Sequence, residues 1–230
     1  MNITKEKFLK RIDATMVEPD ITDDQLADLI HELLPDKNYL SKITVNLTQI
    51  STAVDLLEAH QVGVASEIAY PLGNLPTEVK LIQLEHAIEN GADQVDIVMQ
   101  IDAIKVGEFD QVHKEVDILT ERARGVIGIN FIPNLAFLSE EQKIAAVKIV
   151  YEAGAGVKTS SGVNISSTIE DVKLLKREFV NLELNVCGGC DSLEQAATFL
   201  DVGANKITPS APLTFLRGLV TLMRWQTQKV

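Results

Sequence analysis

The sequence predicts an α/β protein: one (β/α)8 barrel domain spanning residues 1–230, with a short extra helix at its N-terminal end. Three observations predict it. Eight short apolar, β-branched runs alternate with longer helix-like segments along the 230 residues, the pattern of parallel strands joined by crossover helices. The chain is close to the usual eight-unit barrel length of about 250 residues. The first strand runs into MVEPDITDD without a glycine, whereas an open dinucleotide-binding sheet wants a Gly-rich turn there.

The elements follow in order. A helix at about 3–10 precedes strand 11–17 (RIDATMV) and a helix over 22–34, whose start Thr22-Asp23-Asp24 can cap. Strand 42–46 (KITVN) leads to helix 49–60, strand 62–70 (VGVASEIAY) to helix 77–90, and strand 94–100 (QVDIVMQ) to helix 109–124. Strand 125–132 (GVIGINFI) precedes helix 139–153, which Ser139-Glu140-Glu141-Gln142 opens as a capping box. Strand 156–161 (GVKTSS) precedes helix 168–179, strand 182–188 (LELNVCG) precedes helix 191–202, and strand 205–210 (NKITPS) precedes helix 213–227. Asn90-Gly91-Ala92, Ala153-Gly154-Ala155 and Val202-Gly203-Ala204 end three helices alike. Each glycine sits where a C-cap turns left-handed, so these echoes are repeated joints of the fold, not binding motifs.

Composition narrows the function. Hydrophobic residues make up 46% and charged residues 23%, a globular balance. The net charge of −12 argues against nucleic acid or an anionic membrane as the main partner. It leaves room for a small anionic substrate, because a local nest of amides can outweigh distant charge. Two cysteines make no disulfide framework and suit a reducing compartment. A charged N-terminal stretch without an apolar core, and the lack of a long apolar run, make a cytoplasmic location the expectation.

In such a barrel, function belongs to the C-terminal strand ends. Asp96 interrupts an apolar strand. Alternation puts Val95, Ile97 and Met99 on the face that packs against helices, so Asp96 points into the barrel. It is either a structural tie to nearby donors or a working carboxylate. Lys158 takes the face opposite Val157 and Thr159. Desolvation there is expected to supply a neutral amine, which can attack a carbonyl and form a Schiff base; the alternative is a strand-end lysine that snorkels to water. Asp13 shares a face with Thr15 in the first strand, unless it serves as a loop or cap residue. Lys42 and Lys206, at strand starts, belong to the opposite, stabilising face. Ser160-Ser161-Gly162, Gly188-Gly189 and Ser210 form three loops whose amides could hold a phosphate. Cys187 and Cys190 form CGGC without a redox or zinc context. His31, His60, His86 and His113 form no ligand pattern, so no metal site is expected, and no G-x-S-x-G elbow points to serine catalysis.

Asp13-Ala14-Thr15, Tyr70-Pro71-Leu72-Gly73, Gly91-Ala92-Asp93-Gln94-Val95-Asp96, Val157-Lys158-Thr159-Ser160-Ser161-Gly162 and Gly188-Gly189 occur in an order and spacing that resemble the deoxyribose-phosphate aldolase family, from about residue 11 to residue 212. The resemblance implies a (β/α)8 barrel and a Schiff-base aldolase, needing neither metal nor cofactor, that cleaves 2-deoxy-D-ribose 5-phosphate or a related small sugar phosphate. It implies that Lys158 forms the carbinolamine and imine and that Asp96 takes part in proton relay through an ordered water. Asp13 and Thr15 join a polar network near the bottom of the pocket, and Gly162, Gly188, Gly189 and Ser210 cradle the phosphate. Asn46, Asn130, Asn185 and Ser161 complete the substrate-binding set.

The chain departs from the family pattern. Asn185 stands where the family has a second lysine, Asn130 and Asn134 where it has a lysine and a glutamate, and Asp191 where an arginine is common. Two alternatives therefore stand beside the aldolase: a related barrel lyase or transferase with a different, less anionic substrate, and a catalytically impaired sugar-phosphate-binding homologue. The expected partner is a small phosphorylated sugar or aldehyde. A homodimer is possible for a barrel, but no patch for it is legible.

Overall fold

The computed structural model describes residues 5–33, 40–163, 165–216 and 218. Its elements run α1 Lys5–Leu9, β1 Asp13–Met16, α2 Asp23–Leu33, β2 Lys42–Val45, α3 Ile50–Leu57, β3 Gly63–Ile68, α4 Thr77–Glu89, β4 Gln94–Val98, α5 Ile101–Val106, α6 Phe109–Ala123, β5 Gly128–Ile132, α7 Glu140–Glu152, β6 Gly156–Lys158, α8 Ile169–Glu178, β7 Leu184–Cys187, α9 Leu193–Asp201 and β8 Lys206–Thr208. Residues 212–216 are helical too; most of the helix expected at 213–227 lies outside the described residues. The eight strands pair in parallel in sequence order. A parallel bridge between Ile12 and Ile207, with the Ile207 N–H donating to Arg11 O at 2.8 Å, closes β8 onto β1. The ring is the (β/α)8 barrel that the alternation predicts.

Register explains the site. Neighbours across parallel strands share a face. Asp13 pairs with Lys42, Glu67 with Asp96, Asp96 with Asn130, Lys158 with Asn185, and Asn185 with Lys206. This polar set faces the barrel interior. The alternate set of Ile43, Val64, Val95, Ile97, Phe131, Val157, Val186 and Ile207 is fully or almost fully buried on the helix side. Burying each such side chain contributes about 1.5–3 kcal/mol. Stability therefore resides between barrel and helices, which leaves the interior free to be polar.

Local punctuation follows the sequence. Ser139 and Gln142 form the capping box of α7. Gly91, Gly154 and Gly203 all take positive φ at the three repeated helix-to-strand joints. The sequence did not signal α5, a six-residue helix closed by Gly107 in the left-handed region.

Candidate active site

Lys158 is 1% exposed, at the end of the three-residue strand β6. Its Nζ lies 2.5 Å from Glu67 Oε1 and 3.2 Å from Asp96 Oδ2. Asp96 is fixed from the other side, where its Oδ1 accepts from Gln94 Nε2 at 2.7 Å and from Asn130 Nδ2 at 2.9 Å. Gln94 in turn accepts from Lys42 Nζ. A continuous polar ladder thus climbs the interior from Lys42 through Gln94 and Asp96 to Lys158.

The ladder changes the charge state expected of Lys158. Burial alone pushes its ammonium toward neutrality, but Glu67 and Asp96 outweigh burial and hold the pKa well above the ordinary lysine range. The two carboxylates thus oppose the neutral amine that desolvation alone would supply. Burial raises the pKa of Glu67, against the opposing pull of Lys158.

Beside Lys158, Asn185 donates to Asp13 Oδ2 at 2.9 Å and accepts from Thr208 Oγ1 at 3.0 Å. Asp13 is buried, and burial raises its pKa against the pull of Lys206 and Lys42. Lys206 Nζ lies 4.0 Å from Asp13 Oδ1. The two lysines placed by sequence at the stabilising end thus reach the base of this network. Thr15, one alternation further along β1, leaves Asp13 behind and lines the mouth instead.

The mouth is a cavity of about 570 Å³ lined by Thr15, Asn46, Tyr70, Ser161, Gly162 and Ser210, among others. Its expected phosphate donors are already engaged. The Ser161 N–H donates to Asn134 Oδ1 at 2.7 Å, the Gly162 N–H to Ser160 Oγ at 3.1 Å, and the Ser210 N–H to Asp191 Oδ1 at 2.8 Å. Asn134 adopts a left-handed backbone, φ 48°, to make its bond. Gly188 has positive φ, and a Cβ there would lie 2.2 Å from Ile165 O, so the 165–167 segment packs directly on the paired glycines. Ser167 N–H donates to Gly188 O at 3.1 Å. Protein groups thus hold three of the amides expected to cradle a phosphate.

The structure therefore brings Lys158, Asp96, Asp13, Asn130 and Asn185 into one interior cluster. It sets Thr15, Asn46, Ser161, Gly162 and Ser210 around the mouth, with Gly188 and Gly189 against the 165–167 segment. Sequence reasoning missed Glu67. It interrupts an apolar strand as Asp96 does, so the same rule could have found it. Cys187 and Cys190 are buried, unbridged thiols; Cys187 lines the mouth, and burial raises its pKa to about 11.

No protein-family model matches the chain. Curated relatives do. The chain is 35% identical over 216 residues to a deoxyribose-phosphate aldolase of Staphylococcus carnosus, covering 92% of this chain and 96% of that protein. It is 33% identical over 216 residues to a deoxyribose-phosphate aldolase of Streptococcus sanguinis, with the same coverage. Among solved structures, an aldolase named QR15 superposes with a TM-score of 0.85 at 27% identity, covering 93% of this chain and 96% of that one. The deoxyribose phosphate aldolase of Aeropyrum pernix, described as a tetramer, superposes with a TM-score of 0.85 at 24% identity, over 95% of this chain and 93% of that one, a likeness of fold. Sequence identity above 30% along nine-tenths of its length places this chain in the deoxyribose-phosphate aldolase family.

Proposed function

We propose that the protein is a Schiff-base aldolase that cleaves 2-deoxy-D-ribose 5-phosphate, or a small sugar phosphate like it, into an aldehyde and a phosphorylated aldehyde. The observation that carries this reading is the buried Lys158 amine in the barrel, flanked by Glu67 and Asp96 at 2.5 and 3.2 Å. The residues equip that amine to bond to the aldehyde carbon of the open-chain sugar. Loss of water gives an iminium. The iminium draws the electron pair of the neighbouring carbon–carbon bond as the sugar hydroxyl beyond it loses its proton. The phosphorylated aldehyde leaves, the enamine takes up a proton, and water releases the two-carbon aldehyde and restores Lys158. Asp96, tied by Gln94 and Asn130, orients the amine, and Asn185 and Asp13 complete the interior wall. Ser161, Gly162, Gly188, Gly189 and Ser210 supply the anion site at the mouth, with Thr15 and Asn46 beside it.

The test is cleavage of 2-deoxy-D-ribose 5-phosphate, followed by coupled reduction of the phosphorylated aldehyde. Activity in the wild type and none in Lys158→Arg, which keeps a cation between the carboxylates but forms no imine, is the expected result. A wild type inactive on every aldehyde and ketone donor tried contradicts it.

A second reading has its own observation. With Asp191 on the Ser210 amide and Asn134 on the Ser161 amide, a phosphate must displace internal partners. That favours a related barrel lyase acting on a less anionic sugar. A kcat/KM higher for 2-deoxyribose than for its 5-phosphate selects this reading.

A further inference from the structure

The two carboxylates beside Lys158 are not equivalent. Asp96 Oδ1 already accepts two hydrogen bonds, from Gln94 and Asn130. Among the described residues, Glu67 is held through Oε1, at 2.5 Å from the Lys158 Nζ. Its Oε2 is buried and accepts no hydrogen bond from the described residues. A buried carboxylate oxygen without a donor is rare in a folded protein and calls for an explanation. Glu67 also lines a smaller cavity, about 170 Å³, that shares Val17, Asn46 and Tyr70 with the barrel mouth. One oxygen therefore touches the reacting nitrogen, and the residue borders space on the substrate side. The titratable groups that face Glu67 are Lys158, Asp96, Tyr70 and Cys187.

We propose that Glu67 is a catalytic carboxylate that carries the proton of Lys158 during imine formation, a role that rests on the aldolase function above. Glu67 Oε1 takes one proton from the ammonium, leaving a neutral amine and a carboxylic acid. The amine lone pair forms the carbon–nitrogen bond while the carbonyl π pair moves onto oxygen. Glu67 gives its proton to that alkoxide and takes one from the now cationic nitrogen, which yields the neutral carbinolamine. It then protonates the carbinolamine hydroxyl, which leaves as water as the nitrogen lone pair closes the double bond. The products are one iminium, one carboxylate and one water from one ammonium, one carboxylate and one carbonyl, so charge and atoms balance. Burial raises the proton affinity of Glu67, which suits it to accept and return this proton. Asp96 stays the fixed counter-ion.

The experiment measures how fast acetaldehyde plus borohydride fixes an adduct on Lys158, in the wild type and in Glu67→Gln and Glu67→Asp. The expected result is a fall of about 10²–10⁴-fold in Glu67→Gln, the usual size of general acid–base assistance, with Glu67→Asp retaining far more. A purely structural role ranks the variants the other way, because glutamine keeps the shape and aspartate does not. Trapping in folded Glu67→Gln at or above the wild-type rate overturns the proposal and leaves the aldolase reading standing. A wild type that forms no adduct overturns both. If the glutamine variant does not fold, Glu67→Ala with added formate decides: faster trapping supports the carboxylate role, and no acceleration overturns it.

Discussion

Two lysines of this protein are buried to the same degree beside carboxylates, and they differ in everything else. Lys80 lies between α4 and α6, where its Nζ donates to Val98 O at 2.8 Å and to Glu115 Oε1 at 2.9 Å. Glu115 Oε2 accepts from Thr77 Oγ1 at 3.5 Å. Burial lowers the Lys80 pKa more than Glu115 raises it. Lys158, inside the barrel, has two carboxylates, and they more than offset burial. The outer pair is closed, with both partners satisfied by fixed neighbours. The inner cluster is open: Glu67 Oε2 and Asp13 Oδ1 are buried without hydrogen-bond partners among the described residues, as are Thr15 Oγ1 and Ser161 Oγ at the mouth above it. Burial of a lysine is therefore uninformative without its partner inventory.

The largest expected effect comes from emptying the open cluster. Lys158→Met should abolish imine trapping and leave two buried carboxylates without a cation, at about 3–5 kcal/mol of stability near neutral pH. The sign with pH follows from Glu67, whose folded-state pKa is already raised above its ordinary 4.5 by burial. The destabilisation should be small below that value and grow as pH rises toward the folded pKa. Thermal melts of wild type and variant at pH 5 and pH 8 check it.

Breaking the closed pair should be nearly as destabilising and catalytically silent. Lys80→Met leaves Glu115 buried alone, at about 3–5 kcal/mol, while turnover per folded molecule stays unchanged. Lys80→Met with Glu115→Leu should recover most of the loss, since a buried pair replaced by packed apolar groups is often neutral. Denaturant titrations of the single and double variants measure this.

A moderate effect is expected where the family lysine is missing. Asn185→Lys places an ammonium beside Lys158, and like charges lower a lysine pKa by about a unit or more. The pH at which trapping is half-maximal should move down by that amount, as a pH–rate profile of the variant shows. The smallest effect belongs to Lys42, whose pKa is lowered to about 8 by burial and by Lys206 against the pull of Asp13. The folded state binds its proton less readily than the unfolded state, so the charged form costs stability at pH 7. Lys42→Met should gain on the order of 1 kcal/mol there, after screening. The gain should fade as pH rises from about 8 toward 10.5.

The contrast also shows what could be read from the chain. Strand alternation puts Asp96 and Lys158 on the inner face, because Val95, Ile97 and Val157 mark the outer one, but it leaves open whether the Lys158 head reaches water; its 1% exposure comes from the packing around it. The same rule reaches Glu67, since Val64 and Ile68 mark the outer face of its strand, but Ser66 between them breaks the apolar alternation that makes Asp96 stand out. The occupied amides of Ser161 and Ser210 were illegible, since they depend on where loops place Asn134 and Asp191. Nothing in the sequence marks Lys80 and Glu115 as partners; only the packing of α4 on α6 brings them together. The α5 helix escaped notice because six residues carry too little periodicity, although Gly107 was its stop signal.

The proposed chemistry stands on the Lys158 nitrogen as the atom that bonds to the substrate carbon. Incubating the wild-type chain with 2-deoxy-D-ribose 5-phosphate and borohydride, then mapping the added mass by peptide sequencing, tests it directly. A single reduced adduct on Lys158 is expected; an adduct on another lysine, with Lys158 unmodified, rules that chemistry out.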